Sequence, residues 1–432
     1  MIKALTVMAL GLALAVSGGF GVAHQKDNET NTDDVAVVRV DEPERPSGDI
    51  ESQVAALESQ VRTQPRDGRT WATLAHVYVE RARLNGDPTN YDRAQRALTK
   101  AFALNGPDDD LALAGRAALA AAKHHFHEAL HHARQALRVN PYQSVALAIR
   151  IDALTELGRY AGQLRALDQA DRRSPGSAVL TRRSYAAELR GDLAGAQRML
   201  HQALDLSRSK TDRAYLLTQV AELDRKAGRL AAADRRLRSA MAADPRYVPS
   251  WASRARLAAA RGDLSGAERW WRKVNATSPN FDSALELGEI YQVTGRAALA
   301  EREFETAADI VATEAATGVH GELEVATLEA DHGSARTALR AARLEWSRRH
   351  SVHVADALAW ALHRNGRSVE ALRYSRTATR LGTPDAQFWM HRGLIEESLG
   401  RDRAARRNLP YAVRLDPGVR PVLVAAARRA LR

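Results

Sequence analysis

The stretch ALELGEIYQVTGRAALAEREFETA, residues 284–307, decides the fold of this 432-residue chain. Its first half sets Leu287, Gly288 and Tyr291 on one helical face, and its second half does the same with Ala300, Phe304 and Ala307. Between them stands Gly295, a residue that can take the left-handed backbone conformation closing one helix before a tight turn. Gly288 and Ala300 are small enough to let two helices approach closely, while Tyr291 and Phe304 fill the space between neighbouring pairs. The stretch therefore reads as a helical hairpin.

Working outward, the same unit recurs. Pro107, Pro141 and Pro175 are spaced by 34 and 34 residues, and Pro245 and Pro279 by another 34. Proline lacks the amide donor and its ring clashes with the preceding turn, so this ladder marks boundaries between helical units. A glycine ladder runs out of phase with it: Gly158, Gly191, Gly228, Gly262, Gly295, Gly333, Gly366 and Gly400. Trp71-x-x-Leu74-Ala75-x-x-Tyr78 and Trp389-x-x-x-Gly393 repeat the first-helix pattern. Ala129-x-x-x-Ala133-x-x-Ala136, ending at Pro141, and Ala267-x-x-x-Trp271, ending at Pro279, repeat the second.

In these positions the chain resembles the tetratricopeptide-repeat family, and it looks like a bacterial exported member. The resemblance implies an all-α solenoid of about ten helical hairpins wound into a right-handed superhelix, spanning roughly Arg69 to Pro417. Three departures blur the repeat boundaries. An insertion lies around Asn85-Gly86-Asp87-Pro88, His124 stands where a turn glycine belongs, and the unit around Gly333 has no terminal proline. Stacked units need covered ends; the segments Ile50 to Val61 and Val422 to Leu431 are the candidates. The solenoid with its caps takes in residues 50–432.

Before it, Met1-Ile2-Lys3 and the apolar run Ala4 to Val16 lead into small residues up to Ala23, the layout of a signal peptide over residues 1–23. Residues 4–23 are also about as long as the ~20 apolar residues that span a bilayer, so the reading keeps both a cleaved signal and an uncleaved membrane tether. Residues 24–49 are rich in Asp, Glu, Asn, Thr, Pro and Gly and read as a disordered linker. The expected location is periplasmic, cell-envelope or secreted. The chain has no cysteine, which excludes disulfides, thiolate metal sites and cysteine nucleophiles.

The net charge is +11, but only seven of the 63 basic residues are lysine, and they are spread among 52 acids rather than gathered in one tract. That distribution fits a solvated helical face or contact with an anionic envelope surface, and gives no case for specific nucleic-acid binding. The glycines lie singly at turns, so no phosphate-binding loop is present in the sequence. Trp251 and Trp271 fall on slots that pack between helices, which makes them core rather than a stacking platform.

One catalytic pattern occurs. His127-Glu128-Ala129-Leu130-His131 matches the zinc-protease signature, in which histidines four apart ligate a metal and the glutamate acts as base. Phe126 to Leu130 is also what the second helix of this repeat ordinarily looks like, with two exposed polar residues before a buried alanine. The expectation is therefore no catalytic site, no cofactor and no resident metal, with His124, His127 and His131 a weak zinc candidate and a zinc-dependent hydrolase the alternative function.

The resemblance implies that first helices line the concave side, where partner proteins or extended peptides bind. Its groove slots fall on Asp152, Glu156, Glu222, Glu286 and Glu289, with Trp360 and His363 a second contact region, while Arg235, Arg236, Arg238, Arg269 and Arg272 lie on second helices. The expectation is a non-catalytic protein-interaction scaffold whose basic body presents an acidic inner face to a segment of basic or mixed polar character.

Overall fold

The computed structural model describes residues 50–85, 87–418 and 420–430; the expected export segment and linker, residues 1–49, lie outside the described residues. Every regular element among the described residues is a helix. A leading helix, α1 (Ile50–Thr63), is followed by α2 (Gly68–Asn85) paired with α3 (Thr89–Asn105), then α4 (Asp110–Ala122) with α5 (Phe126–Val139). The pairs continue with α6 (Ser144–Glu156) and α7 (Tyr160–Arg173), α8 (Ser177–Glu188) and α9 (Leu193–Asp205), and α10 (Lys210–Lys226) and α11 (Leu230–Ala243). Next come α12 (Val248–Ala260) with α13 (Leu264–Thr277), α14 (Phe281–Val293) with α15 (Ala297–Ala315), and α16 (Glu322–His332) with α17 (Ala335–Arg348). The array ends with α18 (Val352–Arg364) and α19 (Ser368–Ala378), α20 (Ala386–Ser398) and α21 (Asp402–Leu415), and a last helix α22 (Pro421–Ala430).

The hairpins close as the small residues require. A Cβ on Gly288 would stand 2.5 Å from the Phe304 ring, and one on Gly393 2.5 Å from Leu409, so each glycine is where the two helices of a pair touch. Ala300 is 3% exposed, and Trp271 and Trp251 are buried at 1% and 7%. First helices pack on first helices, α2 on α4, α4 on α6, α10 on α12, α16 on α18 and α18 on α20, which puts them on the inside of the curve. Second helices face outward, and Arg235, Arg238, Arg269 and Arg272 on them are exposed.

Of the eight glycines in the ladder, Gly158, Gly191, Gly228, Gly262, Gly295, Gly366 and Gly400 have φ between +65° and +80°. Gly333 has φ −148°, because the link there is only two residues long and Ser334 at once caps α17, its Oγ accepting the Thr337 amide. His124 does occupy the turn-glycine role, at φ +61°. The boundary prolines lie between helices, whereas Pro410 is tolerated inside α21.

The two end helices pack on the array by different means. Helix α1 lies on α2, where the Tyr78 hydroxyl donates to Glu58 at 2.7 Å and Arg81 pairs with Glu51. Helix α22 covers α20 but also reaches across the bore to α14, so it plugs the interior as well as ending the stack.

That crossing is part of a larger closure. The second half of the array winds back against the first, and the contacts recur at a nearly constant separation. His124–His320, Glu156–Arg349, Tyr160–Val352, Leu189–Thr383 and Arg225–Asp416 are 196, 193, 192, 194 and 191 residues apart. At about 34 residues per repeat, one superhelical turn takes just under six hairpins. Successive turns then touch directly. The His320 amide donates to the Lys123 carbonyl at 3.1 Å, the Val352 amide to the Tyr160 hydroxyl at 2.9 Å, and the Thr383 hydroxyl to the Leu189 carbonyl at 2.7 Å.

Candidate functional site

Closure decides what becomes of the concave face. Where the two turns meet they leave a cavity of about 300 Å³, partly open to solvent. One wall comes from α6, α8, α10, α12 and α14, the other from α18, the start of α20 and the link into α22. Asp152, Glu222 and Glu286, three of the groove slots that the resemblance implies, line it. Glu156 and Glu289 do not. They are 8% and 0% exposed, buried in the seam between turns with Arg349 and Arg420 as partners. Their slots face inward as expected, but the chain's own second turn occupies the space before them.

The acidic face anticipated from these slots is met by arginines. Asp152 is held bidentately by Arg182 of α8, with Nε at 2.9 Å from one carboxylate oxygen and Nη2 at 2.7 Å from the other. Arg225 bridges Glu222 and Asp416, Arg256 bridges Glu286 and Asp282, and Arg420 bridges Glu289 and Asp331. Taking a charge out of water is costly unless it is paired, and of these pairings only those of Arg225 with Asp416 and of Arg420 with Glu289 and Asp331 span more than one repeat. Arg256 and Arg182 sit on first helices, where a charge one repeat further on was the available signal. Arg420, Asp416 and Arg349 come from links of the other turn and gave none.

The carboxylates are not equally satisfied. Burial raises the Glu222 carboxyl, but Arg225 and Arg256 outweigh it and hold the group down at about 2. Asp282 goes the other way: burial, opposed by Arg256 and reinforced by Glu286 and Glu324, pushes it up to about 7. Tyr185 and Tyr215 add aromatic wall, and the Tyr185 hydroxyl lies 3.1 Å from His353 Nε2 across the junction of the turns.

Trp360 and His363 are near this region but form no open contact surface. Trp360 is 6% exposed; its indole N–H donates to Asp331 at 2.8 Å, and its ring stacks on His391 and His363 with centroids 4.2 and 5.0 Å apart. His363 is half-buried against Ser368 at 3.0 Å, and burial, then His391 and Arg364, lowers its imidazole to about 4. The two residues are a packed aromatic stack within the stem of the second turn.

The histidine cluster has a structural task. A carbonyl oxygen can only accept, so His124 donates Nδ1–H to the His320 carbonyl at 2.8 Å, and His127 donates Nε2–H to the Arg348 carbonyl at 3.1 Å. His125 likewise reaches the Gly318 carbonyl at 3.0 Å, and its ring lies tilted against that of His320 with centroids 4.2 Å apart. The nitrogens so used carry no lone pair for a metal in that state. Glu128 and His131 are exposed on the outer helix, and among the described residues no three His, Asp or Glu side chains converge as a metal site. The letters of the zinc signature are thus set on the rim of the seam, with His127 facing the second turn.

These helical hairpins define a class of fold: an all-helical solenoid of tetratricopeptide-like hairpins whose second half packs back on its first. No known family profile and no curated protein matches the sequence. Among solved structures the chain is similar to a human IFIT1 dimer with m7Gppp-AAAA, at 16% identity over 77% of this chain and 77% of that one, TM-score 0.49. It is also similar to a tetratricopeptide repeat protein from Parabacteroides merdae, at 20% identity over 58% and 98% of the two chains, TM-score 0.34. A third likeness is to pilF of Pseudomonas aeruginosa, at 20% identity over 50% and 92%, TM-score 0.37. Among the described residues no helix is long and apolar enough to cross a membrane.

Proposed function

We propose that this chain is a non-catalytic interaction scaffold, working in the cell envelope or outside the cell, that holds a segment of a partner protein in the cavity between its two superhelical turns. The observation that carries the reading is the cavity itself: about 300 Å³, walled by side chains of both turns and lined by ionic and tyrosine groups that can orient a polar chain. A fold of this class hosts many functions, so the site and not the fold supports the choice. The apolar run of residues 4–23 supports the location, either as a cleaved signal or as a tether.

The space expected as a long open groove is shortened by closure, so the partner segment that fits is short and enters at the cavity mouth. The test is site-specific photo-crosslinking from Gln219, which lines the cavity, in the native envelope. A partner crosslinked there and lost on Gln219→Trp, but kept when Arg269 and Arg272 on the outer face are changed to Glu, supports the reading. A partner that crosslinks only from the outer helices refutes it. The same preparation tests the other readings: stoichiometric zinc lost on His127→Ala or His131→Ala argues for a hydrolase using Glu128, and polyanion binding with a steep salt dependence argues for a basic adaptor on an anionic surface.

A further inference from the structure

Three arginines at one end of the cavity, Arg225, Arg256 and Arg420, each bridge two carboxylates. Four of their six carboxylates, on Glu222, Asp282, Glu286 and Asp416, line the cavity, while Glu289, which His332 also contacts at 3.1 Å, and Asp331 lie in the seam behind it. The least satisfied of the four is Asp282. Its side chain lies in the first turn of α14, is 7% exposed, lines the cavity and accepts no hydrogen bond from any described residue. Its nearest cation is Arg256 at 3.6 Å, and that group is committed to Glu286 at 2.8 Å. A carboxylate so buried normally accepts several hydrogen bonds or sits against a cation of its own.

From this we infer that the Asp282–Glu286 end of the cavity is a subsite for an organic cation, the guanidinium or ammonium group of an arginine or lysine side chain on the bound partner segment. The inference rests on the scaffold reading above and names the chemistry of its ligand. A planar guanidinium can donate to Asp282 and Glu286 together, and the side chain's methylene stem can lie along the tyrosine wall. Burial is the main cause that raises the Asp282 carboxyl, with Glu286 and Glu324 adding to it, and a cation bound beside it opposes that rise.

The experiment uses the full chain and a fluorescein-labelled pentapeptide with a central arginine, compared with the same peptide carrying citrulline, which keeps the shape and removes the charge. A tenfold or larger preference for arginine at low salt, falling to less than threefold in Asp282→Asn, is expected. Asn is isosteric and relieves a buried charge, and an unfolding curve confirms that the variant folds. Equal binding of the arginine and citrulline peptides by the unaltered protein overturns the subsite without any variant. Agmatine supplies the same cation with no peptide attached; if it binds as tightly as the peptide, the occupant is a free small cation and the side-chain assignment fails. A partner that still crosslinks from Gln219 in Asp282→Asn, with no charge preference, leaves the scaffold reading intact and removes only the subsite.

Discussion

Gly158→Ala isolates the contact between superhelical turns from everything else a turn glycine does. Gly158 and Gly295 occupy the same place in their hairpins, at φ +69° and +78°. An added methyl in this left-handed region costs about 1–2 kcal/mol, partly offset by about 0.4–1 kcal/mol through a less flexible unfolded chain. At Gly295 that is the whole effect, because a Cβ there meets nothing within 4 Å. At Gly158 a Cβ would stand 2.2 Å from the His350 carbonyl oxygen and 3.2 Å from the Ser351 amide, which are backbone atoms of the next turn and cannot rotate away. Overpacking of this kind costs about 1–3 kcal/mol more, or the turns separate. Since a long repeat array need not unfold in one step, hydrogen exchange is the informative assay. The Val352 amide, bonded to the Tyr160 hydroxyl, is the reporter. Gly158→Ala is expected to speed exchange there at least tenfold and to swell the particle in small-angle scattering, while Gly295→Ala leaves both unchanged. If the two variants lose the same stability to within about 0.5 kcal/mol, with equal exchange at Val352, the turns are not in contact and the reasoning fails.

Arg349→Met attacks the same seam from the other side. It strips Glu156 and Glu345 of their shared cation, which at a buried pair costs about 3–5 kcal/mol, and urea unfolding should show the loss together with faster exchange at the His320 amide. Ala300→Glu tests the hairpin phase: an added charged side chain at a 3%-exposed contact should cost about 2–4 kcal/mol, and an unchanged urea midpoint would place Ala300 on the wrong face. The pH dependence has a definite sign. Burial raises Asp282 and Glu324 to about 7 and Glu314 to about 8, above their unfolded values, so the folded state binds protons more tightly there. Stability from these three groups is present below about pH 4 and is lost as pH rises from there through 7 to 8. The urea midpoint should therefore be higher at pH 5.5 than at pH 8, and Asp282→Asn should reduce the difference.

Much of the hairpin architecture was legible without coordinates because its causes are local. A glycine that must take positive φ, a proline that must lie outside a helix and a small residue where two helices cross recur every repeat, so Gly288, Ala300 and Trp271 could be assigned from one stretch and checked against the next. The core reading of Trp251 followed from the same phase. Gly333 escaped it because a serine cap shortened the link, a choice between two equally local solutions. The groove slots of Asp152, Glu222 and Glu286 came from the family resemblance and not from the helical period alone.

What those carboxylates face was legible in neither. The sequence determined a stack of helical hairpins and their phase, since each depends on residues fewer than about 40 apart. Only the tertiary structure decided that successive turns of the stack touch and bring residues some 190 positions apart into contact, as at Glu156 and Arg349. The angle between successive hairpins is small and accumulates over the whole array, so no single repeat carries a readable sign of where the turn will meet itself. That accumulated angle turned an expected open acidic groove into a closed seam, a set of bridging arginines and one cavity in which Asp282 is left without a cation of its own.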